Sequence, residues 1–282
     1  KLFAAKPLKS IEVFPAKVTL ETAADSHTLV AMATYGDDST RDITGDAVFR
    51  LAKPGIAKLR DNQLLPSADG ETEVHVSFGG REVVVPVKVI DAAKPRRVSF
   101  RLDVMPIFLR SGCNTGSCHG SARGQDGFML SLFGYDPDGD HHRITRQLST
   151  RRLNLALPSE SLLIEKPTEA VPHTGGKQID VGSPYYNILV RWIEDGAPND
   201  PKDVAKPLNI EILPPTLLLE GDGATQQMTV VARYSDGTDR DVTSLVVFQS
   251  NNDNSATVSP DGTVTAKATG TRKVRAVRSH PG

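Results

Sequence analysis

Two stretches of the chain alternate short β-branched runs with polar residues, and the stretch between them does not. Val83-Val84-Val85 and Thr229-Val230-Val231-Ala232 represent the runs, and turn signals such as Ser235-Asp236-Gly237 and Asp261-Gly262 separate them. Short strands punctuated this way predict antiparallel β-sandwiches. From about Pro95 to Pro201 the texture changes. Asp103 is placed to cap a helix with Pro106 in its first turn, followed by Ile107, Phe108 and Leu109 before Gly112. A second helix is predicted after Ser183-Pro184, where Tyr185, Ile188, Leu189, Trp192 and Ile193 form an i, i+3, i+4, i+7, i+8 stripe that Gly196 ends.

The two β-rich stretches are copies of each other. Tyr35 and Tyr234, Thr44 and Thr243, and Phe49 and Phe248 are all separated by 199 positions. Ile11-Glu12-Val13-Phe14-Pro15 matches Ile210-Glu211-Ile212-Leu213-Pro214, and Thr40-Arg41-Asp42-Ile43-Thr44 matches Asp239-Arg240-Asp241-Val242-Thr243. The order of elements, ending in Ser255-Ala256-Thr257-Val258-Ser259-Pro260-Asp261-Gly262-Thr263-Val264, resembles bacterial group-2 immunoglobulin-like domains, the second copy more closely. Such domains act mostly as spacers or binding modules. The first copy runs on through Arg81 to Val89, whereas the second reaches Pro281-Gly282 where that strand should begin. The second sandwich is therefore expected to lack its last strand, leaving an open edge, and the natural chain is expected to continue.

Composition narrows the function classes. The 282 residues carry 33 basic and 34 acidic side chains, a formal net charge of −1, so no overall field draws the protein to nucleic acid or an anionic membrane. No run of about eighteen apolar residues offers a membrane span. Two cysteines cannot form a disulfide framework, but they stand close together and a histidine follows the second at once.

That grouping, Cys113-Asn114-Thr115-Gly116-Ser117-Cys118-His119, carries most of the chemical information. Two thioethers can fix a haem edge while the adjacent imidazole reaches the iron. The usual attachment motif has two residues between the cysteines, and here there are four. Small residues can loop out, and longer spacings occur in some multihaem cytochromes. A small Cys113–Cys118 disulfide loop competes with this reading. A structural zinc does not, because no second Cys or Cys-His pair completes four ligands.

The second axial ligand of such cytochromes usually comes from a loop before the terminal helix. Here that loop is Glu169-Ala170-Val171-Pro172-His173-Thr174-Gly175-Gly176-Lys177, so His119 and His173 are expected to form a bis-histidine pair. A second imidazole in place of a thioether lowers the potential, and a six-coordinate iron argues for electron transfer over catalysis. Met129 and the pair His141-His142 are alternative ligands, read respectively as packing and as solvated side chains. His27, His75 and His280 are expected at the surface. Asp136, Asp138 and Asp140 resemble the start of a calcium loop, but His141 and Gln147 stand where Gly and Glu belong, so a capped turn is expected. Arg123, Arg146, Arg151, Arg152, Lys166 and Lys177 could pair with haem propionates, and the sequence singles out none.

Asp103-Val104-Met105-Pro106, Gly112-Cys113 through Cys118-His119-Gly120, Gly127-Phe128, Leu130-Ser131-Leu132, Gly134-Tyr135-Asp136-Pro137, Val171-Pro172-His173, and Trp192-Ile193 with Gly196-Ala197-Pro198 together carry a family resemblance. The chain resembles planctomycete proteins that combine bacterial immunoglobulin-like domains with a cytochrome-c-like segment ahead of further domains. The resemblance spans nearly the whole chain. It implies an extracytoplasmic location, one covalent haem c held by Cys113, Cys118 and His119 with His173, and a link to polysaccharide breakdown. Met129 departs from it, since a basic residue is usual there.

The sequence thus predicts a multidomain fold of two all-β immunoglobulin-like sandwiches, 1–94 and 204–282, flanking a mainly α-helical cytochrome-c-like domain at 95–203. The expected function is a periplasmic or secreted monohaem electron carrier serving a redox partner protein, with polysaccharide as a further ligand. Two other classes stay open: an adhesion or carbohydrate-binding module with a Cys113–Cys118 disulfide, and a haem enzyme with an open iron site.

Overall fold

The spacing of 199 reappears in strand pairing in the computed structural model, which describes residues 6–267 and 271–275. The first module consists of β1 (Leu8–Phe14), β2 (Val18–Leu20), β3 (His27–Thr28), β4 (Val30–Tyr35), β5 (Thr40–Asp42), β6 (Val48–Leu51), β7 (Ala57–Arg60), β8 (Gln63–Pro66), β9 (Gly70–Phe78) and β10 (Arg81–Val89). The second consists of β11 (Pro207–Leu213), β12 (Thr216–Glu220), β13 (Thr225–Gln227), β14 (Thr229–Tyr234), β15 (Asp239–Asp241), β16 (Ala256–Val258), β17 (Thr263–Ala266) and β18 (Thr271–Arg275). Leu8 pairs with Tyr35 and Phe14 with Val30, while Pro207 pairs with Tyr234 and Leu213 with Thr229. Even the irregularity after Leu8 recurs after Pro207. Both Phe14-Pro15 and Leu213-Pro214 are cis.

Alternation explains the sandwich. In β10 Val85, Val87 and Val89 point inward and are buried, while Val84, Pro86 and Lys88 between them are exposed. The inward faces of the first module meet around Leu20, Leu29, Leu64, Val74 and Val76, none of which retains exposed surface. The sheets run β1-β4-β5, β2-β10-β9-β6 and β3-β8-β7. Their counterparts run β11-β14-β15, β12-β18 and β13-β17-β16.

The copies diverge at the closing edge. β2 pairs in parallel with β10, but its counterpart β12 pairs antiparallel with β18, Thr216 facing Arg275 and Glu220 facing Thr271. The expected lack of a last strand falls on residues 276–282, outside the described residues. The two modules belong to one compact unit, residues 1–96 with 205–282. Met32 of the first module is buried in the apolar cluster of Leu217, Leu219, Met228 and Val264, with Phe14 packed against it. His27, expected at the surface, is 2% exposed, with Nε2 3.4 Å from the Asp239 carboxylate. His75 is half-exposed between Glu73 and Glu82, and His280 lies outside the described residues.

The other unit, residues 97–204, corrects the predicted fold class. The chain is 33% strand and 16% helix, with only a few short helices, and no helical cytochrome domain forms at its centre. The helices are α1 (Met105–Arg110), α2 (Pro137–Thr145), α3 (Ser149–Arg152), α4 (Leu162–Glu165) and α5 (Pro184–Glu194). The physical reason is that only α5 sustains an apolar stripe. α2 carries one large apolar residue, Ile144; Gly112 takes positive φ just after α1, and Gly124, Gly127 and Gly134 do so in the turns between α1 and α2.

α5 forms as its sequence predicts, with Ser183 accepting from the Tyr186 N–H and Leu189, Trp192 and Ile193 buried. The first helix starts earlier than expected. Ser99 caps a π-turn over Phe100–Val104 by accepting from Leu102 N–H, and Asp103 reaches back to accept from the Ser99 N–H at 2.8 Å. Asp103 is thus the reciprocal half of a cap, one turn into the helix. Trp192 packs on Phe100 at 5.3 Å and donates from Nε1 to the Pro198 carbonyl at 2.9 Å.

Candidate functional site

The loop leaving α1 is closed by its own backbone. Cys113 N–H donates to the Phe108 carbonyl at 2.8 Å, and His119 N–H returns to the Cys113 carbonyl at 3.0 Å. Cys118 and Gly120 both donate to the Thr115 carbonyl, whose hydroxyl donates to Gly112. The four residues between the cysteines are therefore wound into a tight knot. Gly120 is part of that geometry, because a Cβ there would sit 2.1 Å from the Asn114 carbonyl oxygen.

Both thiols are free. Cys113 is half-buried, and burial, helped by the neighbouring Cys118, pushes its thiol up to about 12. It stays protonated at neutral pH. Asn114 is fully buried, and neither its Nδ2 nor its Oδ1 has a hydrogen-bond partner among the described residues. Polar capacity thus remains at the loop's inner wall for another group to take up.

The two histidines singled out in the sequence share one arrangement. His119 Nδ1 lies 3.0 Å from the Phe128 carbonyl oxygen, and His173 Nδ1 lies 2.8 Å from that of Gly176. A carbonyl can only accept, so each Nδ1 carries a proton, and in the neutral ring it is Nε2 that presents the lone pair. Burial pushes His119 below the usual histidine range, with the charges of His173 and Arg152 adding to it against the Phe128 carbonyl and Asp126. The charge of His173 is felt at His119, although 54 positions separate them.

Around His173 the chain is pinned rather than helical. Lys166 Nζ donates to the Pro172 carbonyl at 2.7 Å, and Gly176 N–H donates back to the His173 carbonyl at 3.0 Å. A Cβ on Gly175 would come within 3.0 Å of the His173 ring, so the glycine leaves that ring its space. On the other side, Phe128 packs its ring 4.8 Å from the His119 imidazole. Gly124 permits this turn, with φ +65° and a Cβ position 2.1 Å from the Phe128 oxygen.

The remaining sequence candidates sort by contact. Met129 is half-buried next to Phe128. His141, read as solvated, instead packs edge-on to Phe100 at 5.1 Å and lies within 6.1 Å of Trp192, and its Nε2 bonds the Ala197 carbonyl at 2.9 Å. His142 is exposed. Asp136 caps α2 by accepting from Gly139 N–H, Asp138 pairs with Arg101, and the buried Asp140 holds Ser131 and Arg143, a polar framework and no ion cage. Lys177 pairs with Asp180. Arg152, undistinguished in sequence, is buried beneath Phe128. A cleft of about 660 Å³ between His141, Arg151, Leu155 and Ala197 involves none of the thiols, nor His119 or His173.

The donor types suit a covalently attached haem: two free thiols, two imidazoles with Nδ1 tied back to carbonyls, and an unsatisfied buried carboxamide between the thiols in sequence, although among the described residues no three His, Cys, Asp or Glu side chains cluster as a metal site.

Comparison with known proteins defines the second β-module. Residues 209–280 match the bacterial Ig-like domain (group 2) family, so the second module is an immunoglobulin-like domain of that group. No cytochrome c family matches the chain. No curated protein matches it either. Among solved structures, domains 5-6 of the S-layer protein SbsC are 20% identical over 30% of this chain and 45% of that one, with a TM-score of 0.27. Domains 4 and 5 of SbsC are 18% identical over 31% and 55%, with a TM-score of 0.26. SbsC domains 1-6 are 11% identical over 99% and 29%, with a TM-score of 0.24. The chain thus spans about half or less of each. Among the described residues no helix is long and apolar enough to cross a membrane.

Proposed function

We propose that the central unit is a c-type haem module for electron transfer outside the cytoplasm, carried between two immunoglobulin-like domains. Cys113 and Cys118 would hold the haem as thioethers, and His119 and His173 would ligate its iron. The group would supply one-electron transfer. The observation that carries this reading is the shared state of the two histidines, each with Nδ1 committed to a backbone carbonyl and Nε2 left as a donor.

Each residue has a definite task. The Phe128 and Gly176 carbonyls fix the tautomer and ring orientation of His119 and His173, so neither ring must reorganise when the iron changes charge. The depressed proton affinity of His119 keeps its ring neutral at neutral pH and its lone pair available. Two imidazole ligands would suit electron passage over oxygen or peroxide chemistry. Covalent attachment of haem takes place beyond the cytoplasmic membrane, which sets the location, and a redox partner protein follows from the activity.

The test is the absorption spectrum of oxidised and reduced protein made with haem-maturation machinery, compared with His173→Met and His173→Ala. A low-spin c-type spectrum that changes in both variants is expected. A colourless matured protein would overturn the reading, and a wild-type spectrum retained in both variants would remove His173 from the iron.

A further inference from the structure

Arg152 is 6% exposed, and a guanidinium held out of water needs its N–H groups satisfied. Its hydrogen bonds go to main-chain carbonyls: Arg143 at 3.2 Å, Gly127 at 3.0 Å, and Gln147. Among the described residues no carboxylate forms an ion pair with it, and the neighbouring charge that acts on it is that of Arg151, of like sign. Carbonyl dipoles solvate the cation without cancelling its charge. Three acceptors spread around one planar head also explain the choice of arginine over lysine.

The charge has a specific address. The guanidinium carbon stands 4.6 Å from the centre of the Phe128 ring, and that ring stands 4.8 Å from His119. Phe128 is also the residue whose carbonyl orients His119. One side chain therefore contacts the imidazole, fixes its tautomer through its own backbone, and carries the buried cation on its ring. Of the candidate basic residues, Lys177 is paired with Asp180, and Lys166 is open to solvent, which screens its charge.

We propose that Arg152 is a positioning residue for the reduction potential, raising it by holding a fixed positive charge behind His119. This rests on the haem reading given above. The Asp126 carboxylate acts against that charge at the His119 ring and stays in place in the variants below. Oxidised iron carries one more positive charge than reduced iron, so a nearby fixed cation disfavours the oxidised form. Burial keeps the effect from being screened away by salt. Arg152 thus opposes the lowering of potential that two imidazole ligands bring.

The experiment measures spectra and midpoint potentials of the matured haem protein for wild type, Arg152→Gln and Arg152→Lys. Arg152→Gln is expected to keep the low-spin spectrum and lower the midpoint potential. At a fixed solution potential the ratio of reduced to oxidised protein should then fall on the order of tenfold. Arg152→Lys, which keeps the charge, should stay near wild type. An unchanged potential in Arg152→Gln overturns the proposal, and so does a switch to a high-spin spectrum, which would make Arg152 a prop for His119 alone. If Arg152→Gln does not accumulate as folded protein, citrulline at position 152 removes the charge while keeping the planar head, with the same two outcomes. A wild-type protein without haem would instead defeat the parent reading, and the wild-type spectrum shows this before any variant is made.

Discussion

The backbone N–H of Gln227 donates to the Asp42 carboxylate at 2.7 Å. Its mirror is the N–H of Thr28, which donates to the Asp241 carboxylate at 2.8 Å. Asp42 and Asp241 differ by 199 positions, and so do Thr28 and Gln227. The two β-modules therefore meet through a reciprocal contact, the same surface used twice, as across a two-fold dimer interface. A repeat in sequence has become a pseudo-symmetric pair within one unit, and residues 97–204 are inserted between its halves.

If the contact is reciprocal, its two halves should have similar weight. Asp42→Ala and Asp241→Ala each lose this bond and the bond that the carboxylate accepts from the N–H two residues on, Thr44 or Thr243, and Asp241→Ala also loses the bond from the Thr243 hydroxyl. Each variant is expected to lower the unfolding free energy of the β-unit by about 1–3 kcal/mol in urea titrations. A measurable effect in one and none in the other would show that the contact is not symmetric in energy.

His141 should behave as structure and not as a ligand. His141→Leu keeps an apolar body between Phe100 and Trp192 but leaves the Ala197 carbonyl unpaired. The expected cost is about 1–3 kcal/mol in thermal or denaturant unfolding, with the haem spectrum unchanged. A spectral shift in the folded variant would place His141 at the iron after all.

The Cys113 thiol supplies a pH dependence. In haem-free protein it ionises near 12, against 9.0 for the unfolded residue. Between those values the unfolded chain binds fewer protons than the folded one, so this group makes stability fall as pH rises above 9.0. Alkylation of Cys113 at pH 8 should be on the order of a thousandfold slower than that of a free cysteine, since the thiolate is the reactive form. Peptide mapping after timed iodoacetamide labelling checks this, and a rate like that of free cysteine would show the thiol to be open to solvent.

Gly120 tests the knot between the thiols. Gly120→Ala pushes a methyl group against the Asn114 carbonyl oxygen, which belongs to the backbone and cannot swing aside. The attachment loop should open, with haem incorporation lost or strongly reduced while the β-unit keeps its unfolding transition. Full incorporation in Gly120→Ala would mean that the loop is not held as described.

What the sequence disclosed follows from how local each signal is. The sandwiches were legible because alternation is local: Val85, Val87 and Val89 announce their face by themselves. The repeat followed from Asp42 and Asp241, but the contact those residues make did not, because pairing across modules leaves no mark in either copy. α5 was legible through its apolar stripe, whereas the expected helical domain failed because glycine turns fill the rest of that unit. Among the candidate ligands, the sequence marks His119 by the adjacent Cys118 and His173 by Pro172 and the glycines after it, while the tie of each Nδ1 to a carbonyl depends on the fold. Arg152 was hidden among arginines, since burial beneath Phe128 depends on the fold alone. His27 and His141 were misread for the same reason, both flanked by polar residues yet turned inward.

The central claim is that Cys113 and Cys118 hold one haem covalently, and intact mass spectrometry of denatured, acid–acetone-extracted protein made with maturation machinery tests it most directly. The account expects the polypeptide mass plus one haem, with the increment absent when both cysteines are changed to alanine. A matured protein that shows the bare polypeptide mass would contradict it.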